Sequence, residues 1–313
     1  MIVDRRLSFR SVTISVRREN LVFFALSLLV TFFYHRFDVT ALSLAVTPFT
    51  ILGAAITIFL GFRTNTAYDR WWEARNLWGG LVNQSRTLVR QAITFNGASL
   101  PGNANDDNAD DDNTAASPFV CRMATLQMAF VNATRAHLRQ QDALSQIEHY
   151  LSPGDRASVQ EIQNVPLAVL RLMGQELRRA HRSHLLDTIQ FSSMDSTLSD
   201  LTDLLGGCER IKNTPLPRQY DTVPQFAIYT YSLFLPLGLV ESIGWWTPFV
   251  SSLITFLFIA IDSIGSNIED PFENRIHDVP MTTLCRTIEI NLCQMIGDKD
   301  CPAPLEPTQG VLM

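Results

Sequence analysis

The sequence has little charge and almost no lysine. Charged residues make up 18% of the 313 residues and hydrophobic residues 46%, whereas about 25% of a soluble domain is charged. Among the 25 basic Lys and Arg residues only Lys212 and Lys299 are lysines, so a cluster of arginines carries little information here. This composition excludes an ordinary soluble domain and indicates a chain partly dissolved in lipid.

Catalytic and metal-binding patterns are also missing. The chain has no P-loop, no G-x-S-x-G and no H-E-x-x-H motif. His181 and His184 are spaced to share a metal on a helix, but the arginines around them disfavour a cation, so a solvated basic face is the better interpretation. We expect no enzyme, no metal, no cofactor and, since there is no basic stripe, no nucleic-acid partner.

The cysteines form no recognisable framework. They are odd in number and show no C-x-x-C spacing: Cys121, Cys208, Cys285, Cys293 and Cys301. Neither a set of disulfides nor a zinc site is indicated.

The net charge of -6 is concentrated in one stretch. Residues 101–118, "PGNANDDNADDDNTAASP", contain five aspartates and almost no large apolar side chain. Such a segment cannot offset the entropy cost of ordering, so we predict a disordered loop. An acidic loop that binds cations is the alternative.

Four apolar runs approach the roughly 20 residues that a membrane helix needs. We predict spans at about 20–36, 40–62, 224–241 and 243–261. A signal peptide is the rival interpretation of the first run, but no small-residue cleavage site follows it.

The arginines predict the orientation of these spans. Several precede the first run or follow the second: Arg5, Arg6, Arg10, Arg17, Arg18, Arg63, Arg70 and Arg75. The connection after the first run holds only Arg36, and that after the third holds neither Lys nor Arg. We expect a multi-pass protein of the cell (inner or plasma) membrane, with both termini, the region of about 63–222 and the tail at 262–313 in the cytoplasm.

All five tryptophans lie near predicted membrane edges, as in an aromatic belt. Trp71 and Trp72 are expected to anchor the inner edge, and Trp245 and Trp246 the outer edge. For Trp78, core packing is the better interpretation.

The middle region is predicted to be helical. One stretch places apolar side chains three to five residues apart, at Met123, Leu126, Phe130, Ala133 and Leu138. A second helix is predicted within 164–189, and residues 137–155 indicate a helix with a Pro/Gly stop. No stretch alternates long enough for a sheet, so an all-α membrane protein is expected.

The second span has two distinct faces. Small residues four positions apart, which allow another membrane helix to approach closely, are Gly53, Thr57 and Gly61. A face turned by about 100° carries Ala54, Ile58 and Phe62. Periodicity alone favours lipid or core contact for this second face. The alternative is that these side chains form an apolar ring around a pore. Such a ring closes the pore to ions when water leaves the constriction.

Three ordered segments carry a family resemblance. "ILGAAITIFLGFRTNTAYDRWWEARNLWGGLVNQSRTLVRQ", "GGCERIKNTPLPRQY" and "NIEDPFENRIHDVPM" resemble segments of the bestrophin family, in particular its bacterial branch. The resemblance implies a single domain over 1–313 and a homopentameric ion channel, with four membrane helices per subunit continuing into a cytoplasmic helical vestibule.

The resemblance also implies two constrictions. The neck falls on Ala54, Ile58 and Phe62, where Ala54 departs from the bulky apolar pattern and implies a wider outer ring. The cytoplasmic constriction falls near Ile189.

Animal bestrophins form a calcium clasp after the fourth helix, and the matching segment here is altered. It keeps Asn267, Asp270, Pro271, Phe272 and Asp278, but has Glu273 in place of glycine and Arg275 in place of a clasp acid. Calcium needs six to eight oxygen ligands, so we predict no calcium activation.

The acids near the fourth span have a simpler interpretation of their own. Asp262, Glu269 and Asp270 either face a water-filled cavity, cap helices, or pair with Arg63 and Arg70. Pairing is favoured.

We therefore expect a channel for small monovalent inorganic ions, working in the lipid bilayer as a homopentamer. Anion (chloride) conductance is favoured over a sodium-selective pore of the same fold. A carrier or scaffold is less favoured, because the sequences around Pro48 and Pro236 show no internal repeat.

Overall fold

Helices account for all the regular structure of the described residues. The computed structural model describes residues 5–96, 117–307 and 311. Its helices are α1 (Arg5–Phe37), α2 (Val46–Phe95), α3 (Pro118–Leu138), α4 (Ala143–Ile147), α5 (Pro153–Gln160), α6 (Val165–Arg182), α7 (Thr188–Asn213), α8 (Gln219–Ile243), α9 (Thr247–Ile268) and α10 (Met281–Met295). No strand occurs within these ranges, which confirms the predicted all-α class.

Three stretches of the described chain are long and apolar enough to cross a membrane. They are Val16–Phe37, Thr40–Phe95 and Gln219–Ile268. The third contains both α8 and α9, separated by a short turn in which Gly244 adopts a φ of 55°. The predicted third and fourth spans therefore correspond to two separate helices.

The chain divides into two compact units. The membrane unit, residues 2–72 and 215–271, contains α1, α8, α9 and the first part of α2. The bundle unit, mainly residues 73–214 and 272–313, contains α3 to α7 and α10. Because α2 is continuous from Val46 to Phe95, the change from apolar to charged sequence at Arg63 does not end the helix.

The bundle unit has a large apolar core. All five α3 side chains expected on one face are fully buried: Met123, Leu126, Phe130, Ala133 and Leu138. Trp78 is also fully buried in this core, which confirms its predicted packing role.

Two sequence predictions in this region need correction. Pro153 and Gly154 do not stop a helix but begin α5, because Ser152 caps its first turn and proline is well tolerated there. Of the predicted disordered loop at 101–118, only Ser117 and Pro118 belong to the described residues, and they cap and begin α3.

The membrane unit has a smaller core, in which two helices approach closely. Ile56 and Leu60 of α2 pack with Tyr231, Leu235 and Ile259 of α8 and α9. Gly238 of α8 lies against Phe49 of α2, where an added Cβ would be 2.4 Å from the phenyl ring. Only a residue without a side chain fits this contact.

Candidate pore helix and its buried ion pairs

One face of α2 is buried within the membrane unit. Its positions recur at intervals of three and four: Gly53, Ile56, Leu60, Arg63 and Ala67. This is the spacing of a helix that packs along one side. The same face carries the buried arginine of the ion-pair network.

The predicted neck residues lie outside this buried face. Ile58 and Phe62 are 61% and 68% exposed, and Ala54 is also exposed. Apolar surface of this extent on a membrane helix is covered either by lipid or by another protein chain. The described residues of this chain do not cover it.

The predicted small-residue face is only partly used inside the chain. An added Cβ on Gly53 would lie 2.9 Å from the Tyr231 hydroxyl, whereas no atom of the described residues lies within 4 Å of one on Gly61. Thr57 is exposed and donates a hydrogen bond to the Gly53 carbonyl at 2.8 Å. The prediction of a close helix contact therefore holds at Gly53 and fails at Gly61 within a single chain.

Arg63 is at the centre of a buried ion-pair network. Its side chain is 2% exposed, and its two terminal nitrogens donate to the carboxylates of Asp221 and Asp262. It also donates to the Ser266 hydroxyl at 2.8 Å, and the Glu269 carboxylate lies 3.6 Å away. A buried guanidinium needs such partners, since an unpaired buried charge is very costly.

The favoured pairing of the acids with Arg63 and Arg70 is confirmed. Arg70 donates to the Glu269 carbonyl oxygen at 2.8 Å and lies 3.8 Å from the Asp270 carboxylate. Sequence reasoning missed Asp221, which is 158 residues from Arg63 in the chain. The sequence did hold a signal for this partner, because Asp221 lies in the first turn of α8, beside a predicted membrane edge.

Negative charge exceeds positive charge around Arg63. Three carboxylates lie within 4 Å of its guanidinium. Burial, together with the charge of Asp221, raises the pKa of Glu269. A raised pKa favours the protonated carboxyl, whose loss of charge reduces the repulsion among these acids.

Ile189 lies in the first turn of α7 and is 81% exposed. The adjacent Gln190 is held in a capping box: its side chain accepts from the Asp187 amide at 3.0 Å, and its own amide donates to the Asp187 side chain at 2.8 Å. Of these two neighbours, Ile189 is the one whose side chain is available to line a passage.

The acids of the clasp-like segment already have protein partners. Glu273 pairs with Lys212, and the Asp278 side chain accepts a hydrogen bond from the Arg275 amide at 2.9 Å. Burial raises the pKa of Asp278. Among the described residues, no group of three or more His, Cys, Asp or Glu is arranged to hold a metal ion.

Each predicted tryptophan pair contains at least one exposed ring. Trp72 is 49% exposed and stacks on Tyr68 with ring centroids 6.4 Å apart, while Trp71 is half-buried. Trp245 and Trp246 are 58% and 70% exposed. These rings are available to a membrane interface, and anchoring by Trp71 and Trp72 stays a prediction.

The apolar helices and the buried charge network define an all-helical membrane protein. A sequence profile described as Bacterial/Fungal Bestrophin protein matches residues 6–294. The chain therefore belongs to the bacterial/fungal bestrophin family, as the three sequence segments indicated.

Its relatives are similar over most of their length. The "Voltage-dependent anion channel-forming protein YneE" of Escherichia coli K12 is 35% identical over 297 residues, which cover 95% of this chain and 92% of that protein. The corresponding protein RSc3414 of Ralstonia nicotianae is 35% identical over 82% of this chain and 79% of its own. A crystal structure of a bacterial bestrophin homologue from Klebsiella pneumoniae matches with a TM-score of 0.80 and 32% identity, over 90% of this chain and 99% of that one. The family is one of channels and not of enzymes, as the sequence predicted.

Proposed function

We propose that this protein is an anion channel, with chloride as the principal permeant ion, in which five copies of α2 surround a central pore. The observation that carries the proposal is the exposure of Ile58 and Phe62 on the membrane part of α2, in a chain whose relatives are named as anion channel-forming proteins.

The neck consists of rings of Ala54, Ile58 and Phe62. Each of these residues is left uncovered by the described part of its own chain, while Arg63 anchors another face of α2. A ring of isoleucine and phenylalanine narrows the pore and expels water when closed. The smaller Ala54 makes the outer ring wider.

Neighbouring copies of α2 approach each other at Gly61. Among the described residues of its own chain, no atom lies within 4 Å of an added Cβ at this position, and small residues are the usual contact points between membrane helices. This supports a helix-to-helix contact supplied by a second subunit.

Each subunit spans the membrane four times, through α1, the first part of α2, α8 and α9, with both termini in the cytoplasm. The exposed tryptophans at the two ends of these segments support this arrangement. The bundle unit is then cytoplasmic, and Ile189 forms its constriction.

A sodium-selective pore is the second candidate. It is favoured by the excess of carboxylates near Arg63, because rings of acids attract cations. Against it, these carboxylates are already engaged with Arg63, which leaves less negative charge for a permeant ion.

The test is the reversal potential of the purified protein in a planar bilayer under a sodium chloride gradient. We expect a reversal near the chloride equilibrium potential. A reversal near the sodium equilibrium potential would replace the proposal with the cation channel. Slow, saturable flux without single-pore currents would refute both channels in favour of a carrier.

A further inference from the structure

The chain reverses direction at the end of α10. Gly297 adopts a φ of 74°, a left-handed conformation that glycine accepts without strain. The Gly297 amide donates to the Gln294 carbonyl oxygen at 3.2 Å, and the Asp298 amide donates to the Cys293 carbonyl oxygen at 3.0 Å. This paired hydrogen-bond pattern is a Schellman motif, and it folds the following segment back along the last turn of α10.

This reversal brings two cysteines together. Cys301 packs against the apolar core of the bundle unit, of which Cys293 is a member, although the two residues are eight apart in sequence. After burial, the nearness of Cys301 is the next cause that raises the pKa of Cys293. The Cys301 thiol also donates to the Asp298 carbonyl oxygen at 3.1 Å. The backbone turn and this hydrogen bond therefore hold the Cys301 side chain beside the last turn of α10.

The segment after Cys301 is held against α10 as well. Arg286 donates to the Ala303 carbonyl oxygen at 3.1 Å. Pro302 and Pro304 flank this contact and restrict the backbone. The turn and this hydrogen bond position Cys301 from both sides.

We propose that Cys293 and Cys301 form a redox-active dithiol, which a peroxide converts into an intramolecular disulfide that fastens residues 301–305 to α10. Cys301 is half-buried, so it meets the oxidant first, while Cys293 is only 7% exposed. Burial raises the pKa of Cys293 to about 11, which makes it the less reactive of the two thiols and leaves the first step to Cys301.

The chemistry balances in two steps. The Cys301 thiolate attacks peroxide, so that a sulfur–oxygen bond forms, the oxygen–oxygen bond breaks and hydroxide leaves. The Cys293 sulfur then attacks the sulfenic sulfur of Cys301, which forms the disulfide and releases water that carries the Cys293 proton. Peroxide is reduced and the two thiols are oxidised.

The other cysteines provide the internal comparison. Cys208 and Cys285 are 0% and 1% exposed, and burial raises the pKa of each to about 12, so both are protected from oxidation. Cys121 is half-buried like Cys301. Cys121→Ser is therefore the matched control for loss of an accessible thiol.

The experiment uses full-length protein in detergent, treated with hydrogen peroxide, alkylated and analysed by intact mass and peptide mapping. We expect the parent and Cys121→Ser to lose two hydrogen masses and to yield a peptide pair joined through Cys293 and Cys301. Cys293→Ser is expected to gain oxygen at Cys301 instead, and Cys301→Ser to leave the buried Cys293 unmodified.

The proposal is overturned if the parent gains only oxygen, if the cross-link joins two chains, or if Cys301→Ser still loses two hydrogens. A melting curve of each serine variant, matching that of the parent, confirms that the folded protein was oxidised. Because the readout is chemical, its outcome is independent of the proposed conductance.

Discussion

At the residue scale, Arg63 links the membrane helices through charge. It lies on α2, and its carboxylate partners come from α8, α9 and the residue directly after α9. Removing one partner of a buried pair costs about 3–5 kcal/mol, because the remaining charges stay buried without compensation.

We therefore expect Arg63→Gln to lower the melting temperature of the detergent-solubilised protein strongly. The control is Arg210→Gln, because Arg210 is 66% exposed and pairs with Glu73 at the surface. A surface pair is worth about 1 kcal/mol or less. Equal melting temperatures for the two variants would show that the buried network does not stabilise the protein.

The neck residues give a second prediction at this scale. Replacing Ile58 and Phe62 together by alanine removes the two bulky apolar rings, so conductance should rise severalfold or the pore should stay open. Phe226→Ala is the control, because Phe226 of α8 is 71% exposed, close to the 68% of Phe62. The assignment fails if the double variant conducts like the parent, or if Phe226→Ala has the same effect.

At the scale of elements, α2 and α8 pack closely through glycine. An alanine at Gly238 would place its Cβ 2.4 Å from Phe49, so the helices must separate or the ring must move. Overpacking of this kind costs about 1–3 kcal/mol.

We expect Gly238→Ala to lower the melting temperature. Gly206→Ala of α7 serves as the control, because no described atom lies within 4 Å of the added Cβ and alanine improves helix propensity by up to about 1 kcal/mol. The melting temperatures of the two variants are compared by thermal unfolding in detergent. A Gly238→Ala variant as stable as the parent would mean that the ring moves aside freely.

The segment after α9 gives a prediction about regulation. Asp270 is paired with Arg70 and Glu273 with Lys212, and Arg275 brings a positive charge into the same segment. Calcium would have to displace these partners, so micromolar calcium should leave the bilayer current unchanged. The comparison is the current in chelator, and a severalfold rise on adding calcium would contradict the prediction.

At the scale of the whole molecule, the exposed apolar face of α2 calls for an assembly. A central pore exists only if several copies of this face surround an axis, and the proposed number is five. The mass of the detergent-solubilised complex should therefore correspond to about five chains of 35.2 kDa each. A monomer or dimer would remove the central pore and the role proposed for Ile58 and Phe62.

Some features followed directly from local sequence. The four apolar runs lie within α1, the first part of α2, α8 and α9, because a long apolar run is a property of local sequence. The α3 face was predictable for a similar reason, since its apolar residues recur with the helical period. The start of α5 could not be predicted from local sequence, because Pro153 is compatible with both the end of one helix and the start of the next.

By itself, the sequence determined that this is an all-helical membrane protein of the bestrophin type, because composition, periodicity and ordered motifs are properties of local sequence. Only the tertiary structure decided which groups meet across long separations. It brought Asp221 to Arg63, left Ile58 and Phe62 uncovered, and turned Cys301 back onto Cys293. Such contacts depend on how helices pack and where a backbone reverses, and residue spacing along the chain does not specify either.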